Sequence, residues 1–283
     1  MRGDHVEDSV EFELEGVRFV SGFTDRTAHD RFTLMKSASH VACYERVFDE
    51  FERPRMVELG LAYGGSLAWF ALRARPARLV GIEYKANRSP HLDRFIESRD
   101  LGAVVRPYYG VDQADGDRLR EIAAAEFRGE PIDLVVDDAS HRYGPTLASF
   151  ETLFPLMRPG GLYVIEDWAG LHEQAAVFER RLAQGTPGET ERLAARIAER
   201  IESGAGAETP LSRLAIEFML VQTSEPTLIE DLAVNRYWIA VRRGPGALPA
   251  TGFRLVDHYV DVFDMVRPLT PGDPAPRSAA VPR

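Results

Sequence analysis

From Arg55 to Asp167 the chain alternates short apolar runs with amphipathic segments, and this alternation limits the fold more than any other feature. Residues 56–60, 79–83, 104–108, 132–138 and 162–166 have the length and composition of strands buried on both faces. Helical spacing is expected between them, over 66–73, 91–100, 117–127 and 146–157. Strict β–α alternation predicts a doubly wound, mostly parallel sheet. Two more strands are expected at 214–221 and 237–242. They are too close together for a helical crossover and so pair antiparallel at the sheet edge, giving seven strands in all.

Flanking regions read differently. The pattern divides the chain into an N-terminal helical or lid region over 1–54, a ligand-binding α/β domain over 55–244, and a Pro/Gly-rich extension over 245–283. A short strand is expected over 17–20 and one or two helices over 30–51. An amphipathic helix is expected over 189–201 and strand-like content over 253–265, with a mobile end.

Two of the expected strands end in paired acids, Asp137-Asp138 and Glu166-Asp167. In one parallel sheet all four reach the carboxyl edge, where open α/β sheets bind ligands. Four carboxylates in one crevice repel unless a cation or proton joins them. The first strand leads into Glu58-Leu-Gly-Leu-Ala-Tyr-Gly-Gly-Ser66. Glycines there let a ligand approach the backbone, and the next helix offers free N–H groups. Gly60, Gly64 and Gly65 are not spaced as Gly-x-Gly-x-x-Gly, and Glu58 would sit badly beside a pyrophosphate. An acid at this point suits an ammonium or sulfonium ligand; the alternative is a tight turn with no ligand. Glu83 lies about 20 residues beyond the loop, where a carboxylate accepts ribose hydroxyls. Asp112 and Gln113 follow the third strand, and Gln113 has both donor and acceptor for an adenine edge.

Together these residues resemble the class I S-adenosylmethionine-dependent methyltransferases, which have a Rossmann-like fold, over about residues 55–243. Asp137-Asp-Ala-Ser-His141 with Glu166-Asp-Trp168 is more specifically similar to the metal-dependent O-methyltransferases of macrolide sugars. It also resembles the rhamnosyl O-methyltransferase and cephalosporin-hydroxylase-like group. The resemblance implies magnesium on Asp138, Glu166 and Asp167, and His141 as general base. It further implies S-adenosylmethionine against Glu58, Gly60, Gly64, Ser66, Glu83, Asp112 and Gln113, with Asp137 near the cofactor. The implied activity is methyl transfer to a hydroxyl of a sugar or glycosylated metabolite, with a homo-oligomer implied by resemblance alone. A catechol acceptor, a nicotinamide-dependent oxidoreductase and a non-catalytic binding partner are the alternatives.

Composition narrows the setting. A net charge of -10 and a pI near 5.3 argue against nucleic acid or an anionic membrane as partner. The single Cys43 excludes an internal disulfide and suits a reducing cytoplasm. No signal-peptide core or membrane-length apolar window is present, so a cytoplasmic protein is expected. His29 and His40 are expected at the surface or as caps, Cys43 as a buried structural thiol. Tyr143, Trp168 and His172 are candidates for the acceptor pocket.

Overall fold

The computed structural model describes residues 9–170 and 209–262 and, singly, 172, 188, 191, 195 and 266. The expected helix over 189–201 and the glycine loop after it therefore lie largely outside the described residues.

The alternation resolves as expected. Strands β4 (Arg55–Leu59), β5 (Arg78–Glu83), β6 (Val105–Tyr109), β7 (Ile132–Asp137) and β8 (Met157–Glu166) are mutually parallel. They form one seven-stranded sheet with β9 (Ile229–Val234) and β10 (Trp238–Arg243), in the order β6-β5-β4-β7-β8-β10-β9. Every residue of β7 is buried, which fits its apolar run Leu134-Val-Val136 and leaves Asp133 and Asp137 buried with it. β10 runs antiparallel to β8, pairing Trp238 with Glu166, and β9 closes the edge antiparallel to β10.

Helices α1 (Ala38–Phe48), α2 (Gly65–Arg73), α3 (Pro90–Ser98), α4 (Gly116–Phe127), α5 (Tyr143–Leu153) and α6 (Arg213–Ser224) cover the sheet. Side chains of Ser37, Ser89 and Asp115 cap α1, α3 and α4 by accepting from the amides of His40, Leu92 and Arg118. Leu67, Trp69, Leu92 and Phe95 pack on one face of the sheet, Leu119, Phe150, Leu214 and Phe218 on the other.

Three expectations are corrected. Residues 214–221 are helix α6, not a strand; the antiparallel partner at the outer edge of β10 is instead β9, most of whose residues are exposed. Arg31–Leu34 is a strand, β3, joined to β1 (Glu11–Leu14) and β2 (Val17–Ser21) in a separate three-stranded sheet, so α1 alone supplies the expected N-terminal helix. The apolar residues after 252 form a 3-10 turn over Leu255–His258, with Phe253, Leu255, Val256 and Tyr259 buried in the core. Among the described residues no helix is long and apolar enough to cross a membrane.

Candidate active site

Gly60 leaves β4 at φ +90°, and its amide donates to the carbonyl of Ile82. An ideal Cβ there would lie 2.1 Å from the carbonyl oxygen of Asp138, so this glycine is required by the chain itself. Gly64 (φ +82°) caps α2, and a Cβ on Gly65 would collide with the carbonyl of Thr33 in β3. The N-terminal sheet thus abuts the glycine loop. Glu83 braces the loop from below: Oε2 accepts from the amides of Leu61 (3.0 Å) and Ala62 (3.1 Å), and Oε1 from Lys85 (2.8 Å).

Glu58 is fully buried, and neither carboxylate oxygen has a hydrogen-bond partner. Burial pushes its carboxyl up to about 8, against the opposing influence of Ser66 and Lys36, so it is protonated at neutral pH. A fully buried acid with a raised pKa beside a glycine loop is a candidate to meet a ligand.

Asp137 and Asp138 have separate environments. Asp137 is buried and accepts from Gln113 Nε2 (3.1 Å to each oxygen), Ser149 Oγ (2.8 Å) and Tyr163 OH (3.3 Å). Burial raises it to about 6 despite Ser149 and the other donors. Gln113 also takes the Ser140 amide on its Oε1, at 2.9 Å. Its amide is therefore spent on Asp137 and on the loop that carries His141. The side chain, expected at an adenine edge, faces inward here. Asp112 is exposed and accepts from the Ala114 amide.

Asp138 turns toward Glu166, and a residue with no place in the expected site lies between them. Lys36 Nζ is 3.0 Å from Asp138 Oδ2 and 2.7 and 2.6 Å from the two oxygens of Glu166. Burial opposes the charge on Lys36, but Asp138 and Glu166 outweigh it and raise its pKa, so it stays an ammonium. Burial and Glu166 in turn raise Asp138, against Lys36 and His141. Tyr44 OH donates to Glu166 Oε1. His40 is buried, not on the surface as expected; it stacks on Tyr237 at 4.8 Å, and its Nε2 lies 3.4 Å from Glu166 Oε2. Burial and Lys36 lower His40 to about 3, leaving it neutral.

His141 and Asp167 both adopt left-handed backbone, at φ +53° and +51°. The Asp167 amide donates to the carbonyl of Tyr237. His141 Nε2 lies 3.8 Å from Asp138 Oδ1 and 3.9 Å from Asp167 Oδ2. One ligand atom from each of these three residues falls within 4.8 Å of the others. Carboxylate oxygens on two sides and an open solvent face fit a hard divalent ion that keeps positions for outside oxygens. The expected trio is thus divided. Asp138 and Asp167 converge with His141, while Glu166, adjacent, is held by Lys36.

The remaining candidates have partners within the chain. Tyr143 is buried and donates to Glu217 in α6, where Arg213 and Tyr259 also converge. Trp168 Nε1 donates to the carbonyl of Asn235, and His172 is exposed beside Ser212 Oγ. Cys43 is half-buried. Lys36, Tyr44 and Glu217 were not legible as site residues. Lys36 had one signal, being one of only two lysines in an arginine-rich sequence.

Residues 57–168 match a family model described as a methyltransferase domain. A tetracenomycin-C rhamnosyl 2'-O-methyltransferase from Streptomyces olivaceus is 36% identical over 139 residues, 46% of this chain and 33% of that protein. Mycinamicin VI 2''-O-methyltransferase from Micromonospora griseorubida is 34% identical over 146 residues, 47% of this chain and 33% of that protein. The chain therefore spans about a third of the length of these curated relatives. Among solved structures, the MycE methyltransferase of mycinamycin biosynthesis, in complex with Mg, SAH and mycinamycin VI, aligns at a TM-score of 0.48 and 26% identity. That alignment covers 74% of this chain and 51% of the other. The segment that matches the methyltransferase-domain model, residues 57–168, runs from β4 to the end of β8 in the seven-stranded sheet.

Proposed function

We propose that this chain is a magnesium-dependent O-methyltransferase that transfers the methyl group of S-adenosylmethionine to a sugar hydroxyl of a glycosylated natural product. The observation that carries this reading is the meeting of Asp138, His141 and Asp167 at the strand edge beside the Gly60 loop. The relatives that align over the same region are named for methylation of antibiotic sugars, which favours a sugar over a catechol acceptor.

Asp138 and Asp167, with Glu166 once it is free of Lys36, would hold the ion. When bound, that ion lowers the pKa of an acceptor hydroxyl, and S-adenosylmethionine supplies the methyl group. His141 Nε2, facing the gap between Asp138 and Asp167, is placed to take the hydroxyl proton. Glu58 and Ser66 flank the glycine loop, where a cationic ligand would meet the Glu58 carboxyl and favour its ionised form. Glu83 would keep the loop at its height while its outer face accepts ribose hydroxyls, and Gly60 and Gly64 let the ligand reach the backbone. Asp112, exposed at the rim, would face the adenosine with the oxygen not taken by the Ala114 amide. Asp137 and Gln113 support the site by fixing the loop from Asp138 to His141. The chain's part in the chemistry is chiefly orientation: acceptor oxygen and methyl donor are brought in line on adjacent strand ends.

Replacing Asp138 by Ala tests the reading. Methyl transfer to a glycosylated macrolide or rhamnosylated polyketide should fall by about 100-fold or more, with S-adenosylhomocysteine affinity retained. Full transfer by that variant in EDTA would sink the metal mechanism. A homo-oligomer and a cytoplasmic setting are part of the same proposal, and light scattering of the purified chain tests the first.

A further inference from the structure

The ammonium of Lys36 has three donors, and three carboxylate oxygens of Asp138 and Glu166 meet it within 3.0 Å. Its side chain is 1% exposed, and its nitrogen lies 5.5 Å from the centre of the Tyr44 ring. The backbone that delivers it is fixed on both sides. Ser21 Oγ donates to the Lys36 carbonyl at 2.8 Å, and Ser37 caps α1 directly afterwards. Residue type carries the same message. The sequence has 34 basic residues besides histidine, yet only Lys36 and Lys85 are lysines. A guanidinium is a planar fork, whereas an ammonium is a compact point charge that fits between two carboxylates.

We propose that Lys36 is the resident cation of the Asp138–Glu166 pair, and that a divalent ion must displace it to reach Glu166, so that Lys36 sets the metal affinity of the site. This rests on the metal reading above. A dication and an ammonium cannot share the same two carboxylates at contact distance without repelling strongly in a buried setting. With Lys36 seated, an ion meets Asp138 Oδ1, His141 and Asp167; Glu166 joins when the ammonium withdraws. The site would then accept metal reluctantly, filling when an acceptor oxygen or a cofactor adds further ligands.

Binding of Mn2+, followed by the electron paramagnetic resonance of the free ion, tests this on the full chain. Lys36→Met should bind Mn2+ at least about tenfold more tightly than the wild type, and Lys36→Arg no more tightly. Equal or weaker binding by Lys36→Met overturns the inference and leaves the metal reading standing. No Mn2+ binding by wild type or Lys36→Met removes the metal reading, and the inference with it. Because Lys36→Met leaves buried Glu166 facing half-buried Asp138 without a counter-charge, the wild type provides a second measurement. In 15N-lysine-labelled protein the salt-bridged Lys36 ammonium should give a proton–nitrogen cross-peak protected from water exchange, which exposed Lys85 lacks. Saturating Mg2+ should abolish that cross-peak; its persistence unshifted with Mg2+ bound overturns displacement.

Discussion

Gly60 and Asp138 are in backbone contact with no room for a methyl group: an ideal Cβ on Gly60 would lie 2.1 Å from the Asp138 carbonyl oxygen and 2.8 Å from Ala139 Cα. The Asp138 amide also donates to the carbonyl of Leu59, at 2.8 Å. The loop that would receive the methyl donor and the strand end that would receive the metal are thus a single rigid object.

Gly60→Ala should therefore harm both halves at once. Left-handed strain on a residue with a Cβ costs about 1–2 kcal/mol, and the clash with Asp138 adds to it. Urea denaturation should show a loss of about 2 kcal/mol or more. Isothermal titration should show weaker binding of S-adenosylhomocysteine and of Mn2+ together. Loss of one affinity with the other intact would show that the two loops are not coupled.

Glu58 gives a pH dependence with a defined sign. Its carboxyl is raised from 4.5 to about 8 in the folded chain, chiefly by burial. The folded state therefore holds the proton more tightly than the unfolded state. Its contribution to stability is complete below about pH 4.5 and is lost as pH rises toward 8, a decline on the order of 5 kcal/mol. Glu58→Gln removes this titration. Thermal melts from pH 5 to 8.5 should show the wild type losing stability relative to Glu58→Gln as pH rises. Parallel profiles would refute the assignment.

His141 faces both acids, so its role as base must be separated from a role as ligand. If it takes the proton, His141→Asn should lower the single-turnover rate by about 100-fold to 10,000-fold. Mn2+ affinity should stay within a few-fold of wild type. A collapse of Mn2+ binding in that variant would make the imidazole a ligand instead.

The alternation of strands and helices was legible because each element of the parallel sheet carries its own signal. β7 carries Ile132 and the run Leu134-Val-Val136, since both its faces are covered. Helix α6 was not legible for the same reason in reverse: its apolar run, Leu214-Ala-Ile-Glu-Phe-Met-Leu-Val221, lacks the contrast that marks a helical stripe. β9 failed because its apolar residues Ile229, Leu232, Ala233 and Val234 do not alternate with polar ones as a half-buried strand would. Within the site, the strand-end acids and His141 could be read because they sit at fixed points of a repeating unit. Lys36 and His40 could not, since they arrive from outside that unit, on the turn into α1 and its first turn. The contacts of Gln113 were not legible, because a strand-end amide reads the same whether it faces a ligand or a neighbouring carboxylate.

The groups that enclose Glu166 come from three places in the sequence. Lys36, His40 and Tyr44 precede residue 57, Tyr237 and Trp238 follow residue 168, and only the acid itself lies within the matched methyltransferase domain. Such a domain is not portable as a charge-balanced part. Recombined between relatives at its own borders, it would carry its acids into a new frame and leave their counter-charge behind. The flanks, not the shared domain, would then decide how readily each hybrid takes up metal.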